Sequence, residues 1–195
     1  MREILKLLAP KLRARGFRGS GQNFRKTDGD FVFVVNFQAG SRGDRFYVNL
    51  GAQPFFIPTE SNVDVNIKNL KEYECIFRAR VGKEWRWEMN ESERSRLEEE
   101  LDSQLGKFFG HVKTLRTALL NDEPEELLKN FCMGTTKARA AFHLARGCLA
   151  LGENKKAETL AIRALELAGE DAHKLREQLD ELIETTHDEI DHQSV

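Results

Sequence analysis

Hydrophobic and polar positions change period twice along this chain, and each change marks a different kind of element. Over residues 2–15, Ile4, Leu5, Leu8 and Leu12 fall at helical spacing with Arg and Lys between them, which predicts an amphipathic helix. Pro10 sits inside that pattern, so a kink or a later start also fits, and Gly16 is placed to end it before Phe17 tucks back. The Asp28-Gly29 pair then signals a hairpin, because glycine tolerates the positive φ of tight turns. From Phe31 the period is two. Phe31, Phe33, Val35 and Phe37 alternate with Val32, Val34, Asn36 and Gln38; after a polar turn at 39–44, Phe46, Val48 and Leu50 alternate with Tyr47 and Asn49.

Pairing Gln38 with Arg45 would set Asn36 opposite Tyr47 and Val34 opposite Asn49. The same register puts Phe37 on Phe46, Val35 on Val48 and Phe33 on Leu50, so one face is wholly apolar and must be covered, most simply by helices. Residues 53–72 contain Pro54 and Pro58 and no clean period, which predicts a loop or excursion. A strand is expected at 73–81, with Tyr73, Cys75, Phe77, Ala79 and Val81 inward. A turn at Gly82-Lys83 would precede a further strand carrying Trp85, Trp87 and Met89.

From Glu91 the period becomes helical. Leu97, Leu101, Leu105, Phe108, Val112, Leu115 and Leu119 follow at three- and four-residue steps, with Asn90 or Ser92 as cap, so one long helix is expected over 92–120. Another begins near Pro124, capped by Asn121 or Asp122. Further on, Ala141, Leu144, Ala145, Cys148, Gly152, Ala157, Ala161 and Ala164 stand at spacings that resemble one tetratricopeptide repeat over 138–169, with a capping helix at 171–187. A single repeat cannot bury its own core, so this hairpin must pack on the long helix or on a second copy of the chain. The expected organisation is an α+β domain at 1–120, with an antiparallel sheet of four to five strands packed by helices, followed by an all-α region at 121–195.

Charge adds an asymmetry to this picture. Residues 1–50 hold ten Lys/Arg against four Asp/Glu, residues 51–90 hold six of each, and residues 91–195 hold fourteen against twenty-two. A basic half with an acidic tail is one form of a nucleic-acid binder. No run reaches the ~20 apolar residues of a membrane span, and the N-terminus mixes apolar and basic residues, unlike a signal peptide. Cys75, Cys132 and Cys148 are odd in number and far apart, so they read as reduced, packed thiols of a cytoplasmic protein.

Motifs of catalysis are missing from the sequence. It contains no phosphate loop, GxGxxG, HExxH, GxSxG or CxxC, and the glycine-rich basic stretches at 18–21 and 40–43 lack a strand-to-helix setting. His187, Asp188, Asp191 and His192 have i, i+4 ligand spacing but lie near the C-terminus, so no metal site and no cofactor are expected. The chemistry left is the polar side of the sheet: Asn36, Gln38, Arg45, Tyr47 and Asn49, joined by Arg78 and Arg80 if the 73–81 strand shares that sheet. Guanidinium, amide and phenol groups suit a carboxylate, a phosphate or an acidic protein surface. No carboxylate beyond Asp44 stands among them, so no general acid or base is expected there.

The stretch "LAPKLRARGFRGSGQNFRKTDGDFVFVVNFQAG", then "FYVNLG", "RARVG" and "WRW", resembles the bacterial family called Domain of Unknown Function 4304. The likeness covers roughly residues 1–115, departs at 53–72 and excludes the C-terminal hairpin. It implies a compact α+β domain of a bacterial cytoplasm and carries over no catalytic residues. The function expected is a non-enzymatic protein-binding or regulatory module, of immunity type in one version, with a protein partner. The alternatives are a small-ligand or nucleotide-processing enzyme using the Arg/Asn/Tyr face and, more weakly, nucleic-acid binding through the basic half.

Overall fold

A computed structural model describes residues 2–193 apart from 42 and 62, without the side chains of Arg2 and of residues 191–193. The chain divides into two compact units, Met1–Lys113 and Thr114–Val195. In the first, helix α1 (Arg2–Ala14) leads into strands β1 (Arg18–Ser20), β2 (Asn23–Asp28), β3 (Phe31–Ala39) and β4 (Arg45–Pro54). A short 3₁₀ turn (Glu72–Glu74), β5 (Phe77–Arg86) and α2 (Glu91–Val112) complete it. The five strands form one antiparallel sheet in the order β1-β2-β3-β4-β5, an α+β fold.

Period-two alternation fixes which face is core. Phe24, Phe33, Val35, Phe37, Phe46, Val48, Leu50, Phe77 and Val81 are all buried on one side, each contributing about 1.5–3 kcal/mol of transfer free energy where fully desolvated. α1 closes over this face with Ile4, Leu8 and Leu12, and α2 with Leu97, Leu101, Leu105 and Phe109. The Phe33 and Phe109 rings lie 4.3 Å apart. Arg15 binds Asp102 at 2.6 Å and Lys11 pairs with Glu98, tying the helices together. Asn90 starts α2 through a capping box with Glu93.

Five local expectations are corrected. The strand expected at 73–81 starts only at Phe77, so Tyr73 is exposed and Cys75 packs on Val32 and Val34. The β3–β4 register is displaced by two residues, with Gln38 opposite Tyr47, Asn36 opposite Asn49 and Phe37 opposite Val48. The hairpin closes at Gly40, whose N–H donates to the Arg45 carbonyl at 2.8 Å. An even slip keeps every side chain on its expected face, and it sets Phe33 against the small Ala52. Next, Gly82 is a bulge and not a turn: β5 runs on to Arg86, and the register against β4 shifts between Phe46 and Val48. With φ near 65° Gly82 turns Trp85 inward, its indole N–H donating to the Val81 carbonyl at 2.9 Å. The expected long helix stops at Val112, and α3 (Leu115–Asn121) opens the second unit. The apolar stripe keeps step across the break, which is why spacing alone did not reveal it. Finally, α4 (Pro124–Phe131) is capped at Glu123 without a side-chain bond, its start set by Pro124.

The rest of the second unit is α5 (Lys137–Ala150), α6 (Asn154–Leu167) and α7 (His173–Gln193). Ala141, Ala145, Cys148, Ala157, Ala161 and Ala164 are buried, and their small side chains let α5 and α6 pack closely after the turn at Gly152.

Candidate functional site

The sheet's second face carries the polar residues, and the strand registers arrange them in rows. Asn23, Asn36, Asn49 and Arg80 are direct cross-strand partners on β2, β3, β4 and β5. Their side chains bond in sequence. Arg80 Nε donates to Asn49 Oδ1 at 3.0 Å; Asn49 Nδ2 donates to Gln38 Oε1 at 2.9 Å and to Asn36 Oδ1 at 3.4 Å; Asn36 Nδ2 donates to Asn23 Oδ1 at 2.9 Å. The Arg80 guanidinium also lies 4.4 Å above the Tyr47 ring, a cation–π contact. Asn49 is 3% exposed at the middle of this row, whereas Arg80 and Gln38 are open to solvent.

Every side-chain carbonyl oxygen in the row has accepted a bond. What remains outward are donors: the two terminal nitrogens of Arg80 and the amide nitrogens of Asn23 and Gln38, which no protein group takes among the described residues.

The next row is Arg25, Val34, Gly51 and Arg78. It is covered. The stretch between β4 and β5 folds back so that Leu70, Cys75 and Val65 bury Val32 and Val34, a face expected to be open. Gly51 permits this: a Cβ there would stand 2.8 Å from Cys75 Sγ and 3.2 Å from Glu72 Cα. Gln53 fastens the same cover, accepting from the Ile76 N–H at 3.1 Å and donating to the Ile57 carbonyl at 2.6 Å.

This cover brings in a carboxylate that the sequence reading did not place. Burial pushes the Glu72 pKa above its ordinary value, while the charges of Arg78 and, after it, Arg80 pull it back. Of the expected site residues, Asn36, Asn49 and Arg80 thus share the open row, Gln38 and Tyr47 pair in the row above it, and Arg78 stands one row lower. Arg45 is on the same face but is engaged by Glu84, with Asp44 at 3.6 Å. It lines a concavity of about 300 Å³ with Gly40, Ser41, Tyr47 and Glu84. Asn23 was legible by parity with the buried Phe24; Glu72 gave no signal, because its stretch has no period.

The family profile described as Domain of unknown function (DUF4304) matches residues 8–115. The chain belongs to this family. No curated protein and no solved structure matches the chain. The DUF4304 segment contains the whole polar row, its cover, α2 and the second half of α1; α5 and α6 lie beyond it.

Outside the DUF4304 segment, His187 Nε2 lies 2.6 Å from Glu158, and the side chains of Asp191 and His192 fall outside the described residues. Burial raises the Cys148 pKa to about 12 and that of Cys75 well above its ordinary value, so both stay protonated thiols at neutral pH. No helix among the described residues is long and apolar enough to cross a membrane.

Proposed function

We propose that the DUF4304 segment is a non-enzymatic binding module of a bacterial cytoplasm. It docks a carboxylate-bearing segment of a protein partner on the open row of the sheet. One observation carries this reading: Arg80 is held from one side by Asn49 and from below by Tyr47, with its terminal nitrogens presented outward. A guanidinium so fixed loses little side-chain freedom on binding, and its fork matches a carboxylate. Surplus donors at Asn23 and Gln38 extend the same preference for an acceptor-rich partner. Neutralisation of an acidic partner, as immunity-type proteins perform, is the specific form this binding takes.

The test compares wild type with Arg80→Ala and Arg80→Glu in affinity capture from the native host. The partner retained by wild type is weakened by Arg80→Ala and lost with Arg80→Glu, and it is regained when an acidic residue of that partner is reversed to Lys. An unchanged set of retained proteins across the three overturns the reading.

Glu72 supports a second reading, an enzyme that uses this carboxyl as an acid or base beside Arg78 and Arg80. In that case Glu72→Gln abolishes turnover of a small acidic substrate and leaves partner capture intact.

A further inference from the structure

We infer that the β1–β2 edge of the sheet holds a second, separate ligand site, for a small molecule bearing a diphosphate or longer phosphate group. The inference does not depend on the Arg80 row.

β1 is only three residues long and pairs Arg18 directly with Arg25 of β2. Like charges facing each other across two strands repel. Elsewhere in the sheet such a pair is compensated: Arg45 and Arg86 also face each other, and Glu84 and Asp44 stand at Arg45. Around Arg18 and Arg25 there is no such carboxylate among the described residues. Lys26 and Lys68 add two further cations to the same concavity, whose volume is about 600 Å³. Asp28 lies 3.5 Å from Lys26, and it is drawn chiefly to Lys113 at 2.5 Å, outside the lining.

The cleft is built as well as charged. Arg25 is half-buried and anchored by its Nε, which donates to the Leu70 carbonyl at 2.6 Å, so its terminal nitrogens are aimed and not free to wander. Gly16 and Gly19 form the wall with positive φ. A Cβ at Gly19 would collide with the Asn23 carbonyl oxygen at 2.1 Å, and Gly16 lies against the Lys26 side chain, where a Cβ would stand 3.5 Å away. The glycine-rich basic stretch singled out in the sequence therefore gains a setting, at a strand edge and not at a helix start.

The charge count selects the ligand class. Four cations against one carboxylate, Asp28, which Lys26 shares with Lys113, match an anion of several charges better than a single carboxylate, and paired arginines favour phosphoryl oxygens. The volume is that of a small-molecule site. Among the described residues the lining has no aromatic side chain on which a base would stack, which argues against single-stranded nucleic acid.

The test is calorimetric titration of the full chain with pyrophosphate, with citrate and with a single-stranded DNA oligomer at matched ionic strength. Pyrophosphate binds with one-to-one stoichiometry and more tightly than citrate. Arg18→Ala/Lys68→Ala, at two exposed positions, weakens it by about tenfold or more, while Arg80→Ala leaves it unchanged. The inference is overturned if pyrophosphate does not bind, if citrate binds as well, or if the double variant binds as wild type does. It is also overturned if Arg80→Ala removes the binding, or if only the oligomer binds. Loss of pyrophosphate binding in Arg18→Ala/Lys68→Ala with partner capture intact separates this site from the Arg80 row.

Discussion

Asn49→Ala is the sharpest test of the polar row. Asn49 is 3% exposed and bridges three strands, accepting from Arg80 at 3.0 Å and donating to Gln38 at 2.9 Å, with a longer contact to Asn36 at 3.4 Å. A neutral hydrogen bond contributes about 0.5–1.5 kcal/mol net and one to a charged group about 1.5–3 kcal/mol. Arg80 and Gln38 are exposed, so water replaces part of what they lose, while Asn36 keeps Asn23. The net cost comes to about 2 kcal/mol, a fall in Tm of about 5–10 °C. Urea and thermal unfolding of wild type, Asn49→Ala, Arg80→Ala and the double variant form a cycle. Because the two residues share a bond, their effects are not additive, and the coupling is about 1 kcal/mol. Additive effects, or a cost for Asn49→Ala below about 0.5 kcal/mol, the level of an ordinary surface change, would refute the claim that this row holds Arg80 in place.

Two further outcomes concern the cover over the lower row. Gly51→Ala drives a methyl to within 2.8 Å of Cys75 Sγ, costing about 1–3 kcal/mol as overpacking. The lifted cover exposes Cys75 to thiol reagents; a thiol as unreactive as in wild type contradicts the contact. Glu72 has a folded pKa raised above its ordinary 4.5, so its contribution to stability is full below that pH and is lost as pH rises through the folded value. Glu72→Gln therefore stabilises the chain near neutral pH, and the gain disappears below pH 4.5; a gain equal at both pH values, or a loss at neutral pH, rejects the burial assignment.

Parity was the strongest signal in the sequence, and it survived an incorrect register. Phe33, Val35 and Phe37 and their partners on β4 occupy the core face whichever pairing is chosen, because an even slip preserves facing. The pairing itself depends on where the loop closes, and hydrogen bonds at Gly40, Gly43 and Arg45 set that, not side-chain pattern. Gly82 misled for a related reason. A glycine amid alternation marks either a turn or a bulge, and the packing of Trp85 decides which. Helix breaks are hidden when the apolar stripe continues through them, as between Val112 and Leu115. Least legible was the return of the 53–72 stretch onto the sheet. Its attachment rests on Gln53, Gly51 and Arg25, three residues with no pattern in common.

That cover bears most on how the site is understood. A carboxyl with a raised pKa beside two arginines invites a catalytic assignment, yet burial is the leading cause of the shift and accounts for it without chemistry. A reaction on this face would also need a nucleophile or a proton partner near Glu72. The open row offers Asn23, Asn36, Asn49 and Arg80, with Gln38 and Tyr47 beside it, and the nearby Cys75 thiol is held protonated under the cover. Amides and a guanidinium are poor nucleophiles and direct hydrogen-bond donors outward, and Tyr47 adds a phenol hydroxyl. Under the proposed binding role Glu72 acts on charge: it offsets part of the positive potential of Arg78 and Arg80, so a single carboxylate would complete the row. The outward donors of Arg80, Asn23 and Gln38 are what the proposed binding role rests on.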